Sequence, residues 1–194
     1  QTVLQLKKLW PNIRKQIPNS ELHIYGAYMT EKVYQLQNAN EKFFIKGKAE
    51  DVNVTMQNYR VLLAPIPFGA GLKGKFIDAF RNGLPSVTST IGLEGYDDKI
   101  WGGFVVDDEI EFVKNAVKIY SDESVWNEMV KNGYSLINDT FSQDKLNGKL
   151  VDRIFKIYNN IEKHRSDLFI QKILWQNSLQ ATKYMSLWIE AKNK

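Results

Sequence analysis

Short apolar runs alternate with segments of helical period along the 194 residues, and glycine or proline punctuates most junctions. Leu4, Leu6, Leu9, Trp10, Ile13 and Ile17 give an opening helix one broad apolar face, which Pro11 is expected to kink or restart and Pro18 to end. Residues 21–26 then read as a short strand closed by Gly26, residues 29–40 as a helix, and 43–50 as a strand of about three residues ending on Gly47. Residues 51–59 fit another helix. Residues 61–67 carry no polar side chain, which is the pattern of a strand covered on both faces rather than one.

A helix is predicted from Lys73 to Asn82, with Gly83 just past its end and Pro85 forbidding continuation. Strands follow at 85–90 and 102–107. Asp108 and Glu111 stand in capping-box spacing before a helix whose Phe112, Val113, Ala116, Val117 and Tyr120 face one way. Asp122 is placed to cap the next helix, through Val125, Met129 and Val130. Leu146, Leu150, Ile154, Ile157 and Ile161 predict a further helix over 143–163. A tail over 166–190 carries Phe169, Ile173, Leu174, Trp175, Leu179, Tyr184, Met185, Leu187, Trp188 and Ile189. Alternating strands and helices predict an α/β fold: a Rossmann-like parallel sheet flanked by helices, with a C-terminal helical tail. The division expected is 1–165 for the sheet domain, its first strand apparently missing because an α/β domain usually opens with one, and 166–194 for the tail.

Composition narrows the function classes. A chain 43% hydrophobic with five Trp, nine Tyr and ten Phe is not a disordered one. No apolar run approaches the ~18 residues of a membrane span. Cysteine is absent, and His23 and His164 are far apart, so neither a thiolate metal site nor a histidine-built one is expected. The net charge of +4 permits an anionic ligand without requiring one.

The chemistry concentrates in 65–96, PIPFGAGLKGKFIDAFRNGLPSVTSTIGLEGY. Three glycine or proline breaks fall where strands end, the edge at which open α/β sheets bind ligands. Gly69 and Gly71 let the backbone approach a ligand and adopt positive φ. The helix start that follows offers unsatisfied amides and a partial positive charge. Lys73 and Lys75 add cations there, against the helix dipole, a conflict that a bound anion would relieve. Asp78 shares a helix face with Gly71, Gly74 and Lys75, while Leu72, Phe76, Ile77 and Phe80 are expected to turn to the core. At ~1.5 Å rise per residue the carboxylate stands about 10 Å from Gly71, the reach from a diphosphate to a ribose. Glycine turns of this kind also occur without any ligand, and both readings stand on these residues alone. Neither the dinucleotide fingerprint nor the Walker spacing is met. An RNA-binding sheet is excluded, because Phe76 and Phe80 lie four apart in a helical pattern.

These residues resemble a known family. LWPNIRKQIPNSELHIYG, FFIKGKAED and VLLAPIPFGAGLKGKFIDAFRNGLPSVTSTIGLEGY are together similar to the C-terminal, donor-binding half of a GT-B-fold glycosyltransferase of the retaining group 1, family 4-like class, over about residues 1–190. The resemblance implies a nucleotide-diphosphate sugar as donor substrate, an acceptor hydroxyl, no cofactor and no metal, and a role in bacterial surface polysaccharide synthesis. It implies diphosphate contacts from Gly69, Ala70, Gly71, Leu72, Lys73 and Lys75, a ribose contact from Asp78, and a base-adjacent loop at Gly47, Lys48 and Ala49. Pro67, Phe68 and Glu94 would line the donor-sugar side. Many relatives carry a glutamate eight positions before the ribose acid, where this chain has Ala70, so no catalytic residue is assigned. The resemblance further implies an N-terminal acceptor domain outside these residues, a last helix over 166–194 that crosses back toward that domain, a cytoplasmic enzyme compatible with the inner membrane face, and an isolated half that is itself inactive and self-associates through that helix. No nucleic-acid partner is expected. Asp97, Asp98, Asp107 and Asp108 read as loop and cap residues rather than a metal-binding pair. A non-catalytic nucleotide-sugar-binding module and a GT-B nucleotide-sugar epimerase are the alternatives; for the latter His23 would be the one candidate, though it reads as a strand residue.

Overall fold

Helical spacing buries Leu6, Leu9, Trp10 and Ile13 on one face of α1 (Thr2–Gln16) in a computed structural model that describes residues 1–96 and 100–193, the side chains of 143–145 and 177–179 aside. The helix continues through Pro11, where a kink or restart was expected. Pro11 lies on the exposed side of the helix, away from the buried face of Leu6, Leu9 and Ile13. On the other side Trp10 Nε1 donates to the Glu41 carbonyl at 2.6 Å and fastens the same turn to the next elements.

β1 (Leu22–Tyr25) pairs in parallel with β2 (Phe43–Gly47), from Leu22 opposite Phe43 to Tyr25 opposite Gly47, with a slip after Ile24. Between them α2 (Glu31–Tyr34) is a single turn, shorter than the helix expected over 29–40. Side chains and bridges compete with it. The Gln37 side chain accepts from the Ile45 amide at 3.1 Å, and Asn38 forms an antiparallel bridge to Phe43. α3 (Val52–Gln57) starts at Asp51, whose carboxylate accepts from the amides of Asn53 and Val54.

A second parallel ladder, in the order β3–β4–β5, joins β3 (Leu62–Ala64), β4 (Ser86–Thr88) and β5 (Gly103–Val105). α4 (Gly74–Arg81) crosses between the first two, and a short α5 (Thr90–Leu93), not expected from the sequence, follows β4. Gly83 takes a φ of +65° just past α4, as the glycine–proline stop predicts. α6 (Glu109–Ser121) and α7 (Glu123–Thr140) complete this part, capped by Asp108 and Asp122, each accepting from two amides of the helix it starts. The buried face of α6 is Phe112, Val113, Ala116 and Ile119; Val117 and Tyr120, expected on it, are only half-buried.

One continuous sheet was expected, and two ladders are present. β1 and β3 share no main-chain hydrogen bonds as strands. Side chains join them instead: Tyr59, just before β3, meets His23 Nδ1 at 2.6 Å and the Tyr25 hydroxyl at 2.8 Å. A cavity of about 300 Å³ lies there, lined among others by Trp10, Ile13, His23, Tyr59 and Leu63. The apolar core is in two clusters that do not follow the ladders, since Leu63, Val87 and Phe104 of the second ladder join the first cluster while Leu62, Ala64 and Val105 join the second. One gathers α1, β1, β2 and α6 around Phe43 and Ile119; the other gathers α4 and α7 around Phe76, Phe80, Trp101 and Leu136.

Contacts divide the chain into Gln1–Ser142 and Gln143–Lys194. The second unit holds α8 (Gln143–Tyr158), α9 (Ile161–Asp167) and α10 (Phe169–Lys192). The helix expected over 143–163 is thus broken at Asn159 and Asn160, residues of low helix propensity. On α10, Phe169, Ile170, Leu174, Trp175, Met185 and Trp188 are exposed.

Candidate functional site

After Ala64 the chain buries Pro65 and Ile66, then exposes residues 67–72 before α4 begins. Ser89 Oγ donates to the Ile66 carbonyl at 2.6 Å and Thr88 Oγ1 to that of Ala64 at 2.8 Å, so β4 fixes the point where the turn departs. Gly71 has a φ of +71°, and a Cβ built there would meet no atom within 4 Å. A side chain would be strained by the backbone and would also fill open space above the turn. Lys73 is the last extended residue, with φ −98° and ψ 93°, and gives α4 no side-chain cap.

The amides of residues 68–75 donate to no acceptor among the described residues. A row of unshared N–H groups therefore meets the positive end of an eight-residue helix. This arrangement can hold a multivalent oxyanion.

The two lysines differ in setting. Lys73 Nζ donates to Glu94 Oε2 at 3.0 Å, and its side chain is only 10% exposed. The charge conflict read from the sequence is thus relieved on Lys73 by Glu94. Lys75 has its pKa lowered, first by partial desolvation and then by the like charge of Lys73, which leaves it an incompletely compensated cation at the helix start.

Asp78 is half-buried on the second turn of α4, and its carboxylate accepts no hydrogen bond among the described residues. Its charge reaches Tyr96, whose pKa is pushed up to about 12, by burial first and by Asp78 second. Phe76 and Phe80 are buried as expected. Leu72 is not: at 51% exposed it belongs to the turn before the helix, where the helical facing rule does not yet apply.

Other predicted residues are placed as follows. Pro67, Phe68, Gly69 and Ala70 are exposed on the turn, Phe68 to 66%. Glu94 is brought to the turn by its ion pair with Lys73. Gly47, Lys48 and Ala49 stand at the carboxyl end of β2, in the other ladder, with Gly47 at φ +74°. Asp107 accepts from the amide and hydroxyl of Thr90, and Asp108 caps α6, so both serve as loop and cap residues; Asp97 and Asp98 lie outside the described residues. His23 lies on β1 against Tyr59 and Glu21. Among the described residues no group of three or more His, Asp or Glu side chains is gathered for a metal ion, and no helix is long and apolar enough to cross a membrane.

Sequence reasoning missed Thr88, Ser89 and Tyr96. Hydroxyls at the end of β4 are a faint signal, since strand ends commonly carry them. Tyr96 Oη donates to the Lys73 carbonyl at 2.8 Å, a contact across 23 positions that no local pattern announces.

Comparison with known proteins gives the geometry its context. A 44.6 kDa protein in the cps region of Klebsiella pneumoniae is 26% identical over 149 residues, which is 73% of this chain and 38% of that protein. The structure of the S. aureus protein TarM, in complex with fondaparinux, alpha-GlcNAc-glycerol and UDP, superposes with a TM-score of 0.66 at 15% identity, over 76% of this chain and 31% of TarM. The pneumococcal O-GlcNAc transferase GtfA, in complex with UDP and GlcNAc, gives 0.66 at 16% identity, over 79% of this chain and 33% of GtfA. At such identities the structures establish the fold, a Rossmann-like α/β domain as in GT-B proteins. The chain spans about a third of the length of these relatives, 31% to 38%. Residues 2–122 match the family model for group 1 glycosyl transferases, which is more than half of the chain, and the chain belongs to that family.

Proposed function

We propose that the chain is the donor-binding part of a glycosyltransferase that takes a nucleotide-diphosphate sugar and passes its glycosyl group to an acceptor hydroxyl. The observation that carries this reading is the row of unshared amides over 68–75 at the start of α4, in a chain of the group 1 family. The diphosphate would lie on Gly69, Ala70, Gly71, Leu72, Lys73 and Lys75. Asp78 would accept from the ribose hydroxyls, Gly47, Lys48 and Ala49 would lie beside the base, and Pro67, Phe68 and Glu94 would lie beside the sugar.

In this reading the diphosphate is the leaving group. Amides and ammonium groups fixed before reaction stabilise the charge that grows on it as the glycosidic bond breaks, so the protein contributes electrostatics and position. No metal is called on. The complexes of TarM and GtfA with UDP support a uridine diphosphate probe, and the relative in a cps region supports a role in bacterial surface polysaccharide synthesis, carried out at the cytoplasmic side with an N-terminal acceptor domain.

Calorimetric titration with UDP, other nucleoside diphosphates and their sugars tests this. Binding of at least one diphosphate, and not of its nucleoside monophosphate at equal concentration, is expected; failure of every diphosphate to bind would refute the site. Ala70, where a glutamate stands in many relatives, favours a second reading, a nucleotide-sugar-binding module without catalysis. Donor turnover by the full-length protein, present or absent, separates the two.

A further inference from the structure

One segment outside the turn touches it three times. Glu94 takes the Lys73 ammonium at 3.0 Å, and Tyr96 Oη donates to the Lys73 carbonyl at 2.8 Å. Between them Gly95, at φ +87°, lies against Leu72: a Cβ there would stand 3.3 Å from Leu72 Cδ2 and 3.6 Å from the Leu72 amide nitrogen. Residues 94–96 therefore pass beside 72–73 as a strap. The strap is anchored in the core, because the Tyr96 ring meets Trp101, Phe141 and Phe76 edge-on, with centroids at 5.3, 5.7 and 6.3 Å.

The bonded carbonyl is the informative one. Lys73 C=O and Gly74 N–H belong to the same rigid peptide plane and point in opposite directions. Gly74 has no side chain, and no atom outside its own helix lies within 4 Å of the Cβ position, so no side-chain packing at Gly74 restrains that plane. Tyr96 and the Phe76 amide, at 2.8 and 3.0 Å, both hold the Lys73 oxygen inward. The Gly74 amide is thereby turned the opposite way from the Lys73 oxygen, at the helix end of the unshared row.

The geometry points to Tyr96 as a positioning residue, which fixes the peptide between Lys73 and Gly74 so that the Gly74 amide donates to a bound diphosphate. This rests on the diphosphate reading of the turn. The hydroxyl stays protonated through the neutral range, since its pKa stands at about 12.

The test is Tyr96→Phe, which keeps the ring in its aromatic setting and removes only the donor. Inorganic pyrophosphate and UDP are titrated against wild type, Tyr96→Phe and Lys73→Met, with the Gly74 amide followed by nitrogen-15 NMR. Loss of one neutral hydrogen bond predicts pyrophosphate and UDP binding weaker by about 3- to 10-fold in Tyr96→Phe. It also predicts a smaller pyrophosphate-induced shift of the Gly74 amide, a change that a loosened core alone would not confine to that resonance. Unchanged affinity and an unchanged Gly74 shift in Tyr96→Phe, while Lys73→Met loses affinity, would overturn the role of Tyr96 and leave the turn's reading intact. Absence of any pyrophosphate or UDP binding by the wild type would overturn both.

Discussion

Lys73→Met separates the charge at the turn from everything else the side chain does. The Lys73 side chain is 10% exposed, so its aliphatic stem is packed, and methionine keeps that stem while removing the ammonium. The partner Glu94 is 52% exposed, so the ion pair contributes at most about 1 kcal/mol, and the variant should lose no more stability than that. A charge-assisted hydrogen bond to a phosphate oxygen contributes about 1.5–3 kcal/mol. Up to about 1 kcal/mol of this is offset if the ammonium must leave Glu94. The net is about 0.5–3 kcal/mol, or roughly 2- to 150-fold weaker binding of UDP. Uridine, which lacks the phosphates, should bind wild type and variant alike. The same competition makes Glu94→Gln a counterpart: freeing the ammonium should tighten UDP by up to about fivefold. Calorimetry on both variants with both ligands reads all four numbers. Equal losses for UDP and uridine in Lys73→Met would refute the phosphate role of Lys73. Weakening of UDP by Glu94→Gln would show that the carboxylate orients the lysine rather than competing for it.

Three further outcomes are expected. Asp122 has a depressed carboxyl pKa, held down by hydrogen bonds from Ser124 and Val125; its stabilisation is present above the ordinary carboxyl pKa and is lost as pH falls through the depressed value, so the urea midpoints of wild type and Asp122→Asn should differ at pH 7 and converge as the pH is taken down through that depressed value. Gly92→Ala drives a methyl into Thr88 Oγ1, a fully buried hydroxyl bonded to the Ala64 carbonyl, and should cost about 1–3 kcal/mol; an unchanged urea midpoint would mean that α5 yields without resistance. The exposed apolar residues of α10 should make the chain self-associate at high concentration, and replacing Trp175 and Trp188 by glutamate should raise the monomer fraction in light scattering, with a concentration-independent monomer counting against it.

Features set by near neighbours in the chain are legible in the sequence. Gly83 and Pro85 ended α4 where glycine and proline must, and Asp108 and Asp122 sat one residue ahead of the helices they cap. The glycine turn was legible for the same reason, since positive φ and unshared amides are local properties. What depended on distant partners was not. Nothing around Leu22 or Leu62 says that their strands join different ladders, because that is decided by the aromatic groups of His23, Tyr25 and Tyr59 meeting between them. Tyr34 looks like the middle of a helix until Gln37 and Asn38 find β2. Pro11 reads as a break unless its outward placement on α1 is known. Lys73 likewise shows its charge in the sequence but not the carboxylate that meets it.

The seam between β1 and β3 bears on motion at the carboxyl edge. Paired strands are locked at a pitch of about 4.8 Å by their ladders. Across this seam the link is made of side chains, the rings and hydroxyls of His23, Tyr25 and Tyr59 and an apolar cluster shared by Ile24, Leu63 and Val87, which tolerate sliding that a ladder does not. Residues 47–49 follow one ladder and residues 67–75 the other, so the span from the glycine at the end of β2 to the start of α4 is set by a compliant joint. Deuterium uptake should therefore be faster along the facing edges of these two strands than within either paired set.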